Sequence, residues 1–301
     1  MLRCAQHDRS EVRSMTTHSR ALAPFNRYPI QSVRVHQHST AYIRHGEGSP
    51  LVLLHGYAGA IWNWEHQIEA LGEHFTVYVP DLLGHGLSDK PRIVYTPSAL
   101  LEWLQGFMDA LGISRADFVG NSMGCGFAMA LAMTNPERVN RLVLISGFPA
   151  HVLDQARGPY LKLFSRLGVG FVFRLAYRLM GKRTFRKFLH GIVWDRKQIT
   201  PAVIERASRL RKEHGQAWPL WSSLCRLHEW EEQFVPRFSS VRAPTLIMWG
   251  QYDAFFPPAV GEALHRSISG SRFALIPNAG HLPMWEQPEA VNRQILQFLL
   301  K

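Results

Sequence analysis

Ser122 stands in Gly120-Asn121-Ser122-Met123-Gly124, between the strand-like run Ala116 to Val119 and an apolar stretch of helical period that opens at Met123. A nucleophile carried on a very tight strand-to-helix turn needs glycine two residues before and two after it, because a Cβ there would collide with neighbouring backbone. The serine side chain then projects from the strand end, and the following helix directs amide N–H groups and the positive end of its dipole toward the hydroxyl. Both features favour a negatively charged intermediate. A serine hydroxyl is a weak nucleophile and needs a base, itself oriented by an acid. Of fifteen histidines, His281 in Pro277-Asn278-Ala279-Gly280-His281 directly follows the last strand-like run, which puts it at the same carboxyl edge as Ser122. Asp253, in Trp249-Gly250-Gln251-Tyr252-Asp253, follows the penultimate run and fits the acid; its plainer reading is a turn aspartate capping a helix at Pro257-Pro258. The end of the run Leu142 to Ile145 offers only Ser146-Gly147, with Asp154 the nearest acid. An oxyanion needs two donors. One is the Met123 amide and the other belongs to the turn after the first buried run, Leu54-His55-Gly56-Tyr57-Ala58-Gly59, where Tyr57 presents its N–H and Gly56 permits the turn.

The elements that must position these residues read as an α/β fold, a mostly parallel central sheet flanked by helices. Short β-branched runs alternate with longer helix-period stretches, the pattern of crossover units. Val33 to Val35 and Ala41 to Ile43 read as an opening hairpin; Leu51 to Leu54, Phe75 to Val79, Ala116 to Val119, Leu142 to Ile145, Thr245 to Trp249 and Phe273 to Ile276 read as strands. Helical patterns cover Ile61 to Leu71, Ser98 to Leu111, Met123 to Thr134, Pro258 to Ile268 and Pro288 to Leu300, the third ended by Asn135-Pro136. After Ile145 the rhythm breaks into some 90 residues of aromatic-rich helical periodicity before strand-like sequence resumes at Ala243. The expected division is a basic tail at 1–29, the first part of the core at 30–147, a helical insertion at 148–239 after the sixth core strand, and the second part of the core at 240–301.

Composition narrows the classes. In 301 residues, 46% apolar and 19% charged, there is enough material for a sizeable core, and the chain lies outside disordered and low-complexity types. Three cysteines (Cys4, Cys125, Cys225) without a C-x-x-C pair make neither a disulfide framework nor a cysteine-based zinc cage, so a reducing compartment, the cytoplasm, is the expectation. No stretch reaches the roughly 18 uncharged apolar residues that span a bilayer. The net charge of +11 is concentrated in residues 151–240, with seventeen Lys/Arg against seven Asp/Glu. No zinc-finger, RNP-like or helix-turn-helix signature accompanies it, so no nucleic-acid partner is expected. Leu161 to Leu179 alternates apolar residues with Arg166, Arg174 and Arg178, and Lys182-Arg183 and Arg186-Lys187 follow. This suits an amphipathic helix on an anionic membrane or one admitting a lipid-like acyl group; the alternative is a helix pair packed on the core with a solvated basic face. The first 28 residues, with five arginines and only Asp8 and Glu11 as acids, read either as a solvated tail, with Met15 an alternative start, or as an organellar transit peptide.

Taken in order, His55-Gly56, the stretch Pro80 to Asp89 (PDLLGHGLSD), Gly120 to Gly124, Gly250 to Asp253 and Gly280-His281 resemble the α/β-hydrolase superfamily over about residues 40 to 301. The resemblance implies a catalytic triad of Ser122, Asp253 and His281, an oxyanion hole of the Tyr57 and Met123 amides, a supporting role for His55, Gly56, Gly120 and Gly124, and a cap formed by the insertion. It assigns Asp81 and His85 to a structural turn. No metal or organic cofactor is implied. The aspartate-nucleophile dehalogenases and epoxide hydrolases are similar around Pro80 to Asp89 but not at Ser122. Hydrolases of carbon–carbon bonds in ring-fission products share Gly-Asn-Ser-Met-Gly, yet usually carry a Ser-Gly-Pro-Gly oxyanion loop and a Trp after the catalytic histidine; here Tyr57-Ala58-Gly59 and Leu282 stand there, with Trp285 further on. Carboxylic ester hydrolysis through an acyl-enzyme, on an apolar or lipid-like substrate, is the implied activity. The alternatives are carbon–carbon hydrolysis, cofactor-free perhydrolysis, and a non-catalytic binding protein on the same fold.

Overall fold

The computed structural model describes residues 27–155, 170–212 and 215–301. Most of the expected basic tail, Cys4 and the start of the Leu161 to Leu179 stretch with Arg166 lie outside the described residues. An eight-stranded sheet forms the centre, in the order β1-β2-β4-β3-β5-β6-β7-β8. Its strands are β1 (Ile30–Val35), β2 (His38–His45), β3 (Ser49–Leu54), β4 (Phe75–Pro80), β5 (Ala116–Asn121), β6 (Val139–Ile145), β7 (Thr245–Gly250) and β8 (Arg272–Ile276). The first two are the expected hairpin, and β2 runs antiparallel to β4. From β3 to β8 all pairings are parallel.

Strict alternation sends neighbouring side chains to opposite faces of a strand, and here both faces are covered. Leu51, Leu53, Val119, Val143, Leu246 and Met248 join one buried cluster, while Val52, Leu54, Phe118, Leu142, Ile247 and Trp249 join the other. This explains why the strands read as continuous apolar runs. The helices are α1 (Pro97–Ala110), α2 (Met123–Thr134), α3 (Gly170–Leu179), α4 (Lys182–Ile192), α5 (Pro201–Arg211), α6 (Ala217–Cys225), α7 (Leu227–Gln233), α8 (Pro258–Ser267) and α9 (Pro288–Leu299), with shorter helical turns between them. Thr96 caps α1, its hydroxyl accepting the Ala99 N–H at 3.0 Å. Between β6 and β7 every described element is helical. These inserted helices straddle the sheet: Leu189, Val193, Ile204 and Leu210 pack with one cluster, Trp230, Phe234 and Phe238 with the other.

One expected helix differs. Ile61 to Leu71 forms a 3₁₀ turn at Ile61–Trp64 and a separate helix at Ile68–Gly72. Side chains compete with the helical ladder there. Asn63 Oδ1 accepts the Ala60 N–H at 2.8 Å, Asp81 Oδ1 accepts the Ile61 N–H at 2.7 Å, and Gln67 donates to the Met284 carbonyl at 2.9 Å. All four residues of the 3₁₀ turn are buried, so no solvent-facing side remains for an amphipathic helix.

The parallel strands present their carboxyl ends along one edge. Leu54 pairs with Gly120, Asn121 with Ile145 and Gly250 with Ile276. The chain leaves β3 toward β4 on one side and returns to β5 on the other, so β3 and β5 flank the point where strand order reverses, where open α/β sheets bind ligands. The turns bearing Tyr57 and Ser122 follow these two strands.

Candidate active site

Ser122 adopts φ +50° and ψ −117° between the last residue of β5 and the first of α2. This is strained for a residue with a Cβ, and it is locked by hydrogen bonds from the Ser122 N–H to the Ile145 carbonyl (3.0 Å) and from the Cys125 N–H to the Ser122 carbonyl (2.9 Å). A Cβ at Gly120 would lie 2.5 Å from the Cys125 nitrogen, and one at Gly124 2.1 Å from the Leu54 oxygen. Both glycines are therefore demanded by backbone contact, as their spacing predicts. Residues Met123 to Met133 of α2 are all buried, so the positive end of its dipole acts beside Ser122 with little solvent screening.

His281 and Asp253 meet. Nδ1 of the imidazole donates to Asp253 Oδ2 at 2.8 Å, with both side chains buried. Asp253 Oδ1 accepts the Phe255 and Phe256 N–H groups, each at 2.9 Å. Asp253 thus shapes its own turn and orients the imidazole, which unites its two sequence readings except that its bonds go to the turn before α8 and not to the helix. With the proton on Nδ1, Nε2 is the basic nitrogen. The rings of Phe255 and Phe256 lie 5.0 and 5.5 Å from the imidazole. The two loops are also joined through backbone, Tyr252 N–H donating to the Ala279 carbonyl at 2.8 Å.

Ser122 is brought to this pair through its neighbour. Asn121 Nδ2 donates to the Ile145 carbonyl at 3.2 Å and to the His281 carbonyl at 3.4 Å, tying the serine turn to the histidine loop. Among the described residues no hydrogen bond joins the Ser122 hydroxyl to the imidazole. Catalytic hydrogen bonds are often long before substrate binds.

Gly56 sits against the serine: a Cβ there would lie 3.2 Å from Ser122 Cβ and 3.1 Å from Asn121 Oδ1. Among the described residues neither the Tyr57 nor the Met123 N–H has a hydrogen-bond acceptor, leaving two donors beside Ser122. The Tyr57 hydroxyl reaches the inserted helices and donates to the Leu220 carbonyl at 2.9 Å. His55 supports this turn. It is wholly buried, burial pushes it down to about 3, and the neutral ring donates from Nδ1 to the Gly56 carbonyl (2.9 Å) while Nε2 accepts the Leu82 N–H (3.1 Å).

Asp81 and His85 serve the turn after β4. Asp81 accepts the Ile61 and Leu87 N–H groups at 2.7 Å each, and burial pushes its carboxyl up to about 6. His85 is buried, pushed down to about 4 by desolvation, and contacts the Leu83 carbonyl at 3.3 Å. Burial raises the Cys125 thiol, an inert core group.

Several residues that sequence reasoning passed over complete the site: Asn121, Phe255, Phe256, Trp194, Tyr252 and Glu286. Trp194, two residues past the end of α4, stacks on Tyr252 with centroids 3.8 Å apart. Glu286 is buried and accepts the Gly280 N–H at 2.8 Å through Oε1 and the Trp194 and Asp195 N–H groups at 2.5 and 3.1 Å through Oε2. The available signal was a lone acid directly after the apolar run Leu282 to Trp285, just past His281. A cleft of about 730 Å³ opens at the seam between inserted helices and sheet, lined by His190, Trp194, Arg196, Tyr252, Asp253 and Pro258 among others. It lies on the aspartate side of the seam, and neither Ser122 nor His281 lines it.

Known proteins are similar to this chain over most of its length. A family model described as alpha/beta hydrolase fold matches residues 49–288. A 2-hydroxy-6-oxononadienedioate/2-hydroxy-6-oxononatrienedioate hydrolase of Burkholderia vietnamiensis is 32% identical over 278 residues, covering 89% of this chain and 91% of its own. Among solved structures, a meta-cleavage product hydrolase from Pseudomonas fluorescens is similar with TM-score 0.75 and 25% identity, covering 89% of this chain and 96% of that one. The enol-lactonase from Burkholderia xenovorans has TM-score 0.74 and 25% identity, covering 90% of this chain and 100% of that one. A matched span of this length, with the strand order and the serine turn in place, makes the chain a member of the α/β-hydrolase family.

Proposed function

We propose that the protein is a serine hydrolase that cleaves a carboxylic ester of an apolar or lipid-like substrate through an acyl-enzyme. The observation that carries this reading is the 2.8 Å bond from His281 to Asp253 at the sheet edge where Ser122 occupies its strained turn. Ser122 Oγ attacks the ester carbonyl while His281 Nε2 takes its proton, and Asp253 holds the Nδ1–H and stabilises the imidazolium. The N–H groups of Tyr57 and Met123 bind the oxyanion. Collapse of the tetrahedral intermediate expels the alkoxide, which takes the proton from His281. Water, deprotonated by the same imidazole, then releases the acid and restores Ser122. None of these steps requires a metal or organic cofactor.

The inserted helices form the cap over this edge. The Tyr57 hydroxyl bond to Leu220 and the Trp194–Tyr252 stack support that placement, and the aromatic rings of Phe255 and Phe256 beside His281 support an apolar acyl or alcohol group.

A second reading, carbon–carbon hydrolysis of a ring-fission product, is favoured by the relatives that act on such compounds. A vinylogous ring-fission diketone and p-nitrophenyl esters of increasing chain length, assayed side by side, decide between them. Ester hydrolysis predicts turnover of the esters that exceeds that of the diketone; the reverse ranking favours carbon–carbon cleavage, and turnover of neither overturns both.

A further inference from the structure

The outer surface of α3 and α4 combines exposed apolar side chains with positive charge. No acidic residue occurs between Asp154 and Asp195, whereas described residues 170–192 carry six Lys/Arg. Helix α3 has two apolar sides. Phe173 and Tyr177 stack on each other with centroids 5.8 Å apart, and a Cβ at Gly170 would lie 3.0 Å from the Trp221 ring, which places this side against α6. Phe171, Val172, Leu175 and Leu179 are exposed, Phe171 at 64% and Leu179 at 71%. At about 100° per residue these four fall within an arc of roughly 100° on the side opposite Tyr177. An interior-facing stripe explains Phe173 and Tyr177, but it leaves four large apolar side chains in water.

Arg211 fixes which way both helices face. Its guanidinium donates to the carbonyls of Tyr177 and Met180 and lies 5.3 Å from the Tyr177 ring centroid and 5.7 Å from that of Phe185. Tyr177 belongs to α3 and Phe185 to α4, so the corner at Met180-Gly181 is held from beneath and the sides opposite these rings turn outward together. On α4 that side carries the exposed Arg183, Arg186 and Lys187, and Arg178 is exposed beside the apolar arc of α3. Lys182, at the corner, pairs with Glu205. Exposed apolar side chains bordered by uncompensated positive charge complement a lipid surface of negative charge: the apolar groups enter the acyl boundary and the cations remain at phosphate level.

We propose that the outward side of α3 and α4 docks on an anionic lipid bilayer, with Phe171, Val172, Leu175 and Leu179 entering the headgroup region and Arg178, Arg183, Arg186 and Lys187 facing the lipid phosphates. The surface lies one short step from the candidate chemistry, because α4 ends at Ile192, whose carbonyl accepts the His281 N–H at 2.7 Å. The inference deepens the hydrolase reading and rests on it only for its use: docking names the surface from which an apolar ester is drawn, while lipid binding itself does not require Ser122.

The test is co-sedimentation of the full chain with vesicles of equal parts phosphatidylglycerol and phosphatidylcholine, against phosphatidylcholine alone. The protein should sediment with the anionic vesicles, be released by high salt, and stay in solution with the neutral ones. The triple variant R183Q/R186Q/K187Q should lose on the order of a hundred-fold in affinity, about five-fold for each charge removed. L175S/L179S should lose binding as well, both variants keeping wild-type turnover of a soluble short ester, and Ser122→Ala should bind vesicles like wild type. Negligible binding to both vesicles, equal binding to both, or binding untouched by the triple variant would overturn the proposal. So would a lipid-free dimer dissolved by L175S/L179S, which would make a second copy the occupant. Loss of ester turnover in Ser122→Ala with vesicle binding intact separates the two readings, since either can fail while the other stands.

Discussion

Glu286 and Gly280 are joined by a 2.8 Å hydrogen bond in which the carboxylate accepts the N–H of the residue immediately before His281. The other oxygen accepts the N–H groups of Trp194 and Asp195. One buried side chain therefore spans the histidine loop and the inserted helices. Burial raises its pKa, while the backbone N–H groups of Gly280, Asp195, Trp194 and Leu282 act in the opposite direction.

Replacing Glu286 with Gln turns an amide NH₂ toward backbone donors and should displace the His281 loop. Displacements of about 1 Å near reacting groups cost on the order of 10²-fold. The expected result for Glu286→Gln is a kcat reduced by about that factor with KM changed far less, measured on a soluble ester. A lowered unfolding midpoint with unchanged kcat would reduce Glu286 to a purely structural part.

Gly56→Ala introduces a Cβ 3.2 Å from that of Ser122 and 3.1 Å from Asn121 Oδ1. The turn must give way, carrying the Tyr57 N–H with it. Loss of one oxyanion donor costs about 10²- to 10³-fold in turnover, and a loss in that range is expected here without unfolding. Steady-state kinetics on a variant with a wild-type circular dichroism spectrum provide the check.

Tyr57→Phe makes the complementary change. The N–H is kept, while the hydroxyl bond to the Leu220 carbonyl is removed. Turnover of a short ester should stay within about five-fold of wild type, because a neutral hydrogen bond contributes only about 1 kcal/mol and this one is made by the side chain, away from the backbone N–H. A loss as large as that of Gly56→Ala would show that the side chain, not the amide, is what the site needs.

Asp117 lies in β5, five residues before Ser122, and burial pushes its carboxyl up to about 6, with Arg141 at 3.8 Å a partial counterweight. An acid whose folded pKa lies above its unfolded value of 3.8 costs nothing at low pH, since it is protonated in both states. As pH rises from about 4 to about 6 the unfolded chain loses the proton first, so folding loses stability, and the cost is constant above that. The unfolding free energy of Asp117→Asn relative to wild type should therefore rise across this window by at most about 3 kcal/mol and then level off. Denaturant titrations at several pH values measure it; a difference independent of pH would contradict the burial argument.

The inner strands were legible because they are apolar runs buried on both faces, β4, β5 and β7 throughout, the half-exposed β1, β2 and β8 because short apolar runs between turn residues mark them, and the glycines at 120 and 124 because only steric demand explains them. His281 and Asp253 followed from position alone, each just past a strand at the carboxyl edge. The break in the helix at Ile61 to Leu71 was not legible, since it depends on Asp81 and Met284, distant in sequence. Glu286 and Asn121 were missed for a related reason. Their roles are backbone hydrogen bonds to other loops, and such bonds leave no periodicity or spacing in the chain. The basic stretch was read as either packed or surface-active, and α3 shows why both patterns were present: it carries an apolar stripe on each side.

Covalent labelling by a fluorophosphonate, followed by intact-mass analysis and peptide mapping, asks whether Ser122 is the nucleophile that His281 activates. Stoichiometric modification of Ser122 is expected, with none in Ser122→Ala and strongly slowed labelling in His281→Ala. Labelling at another residue, or wild-type protein that fails to react under conditions where its ester turnover is measurable, would contradict it.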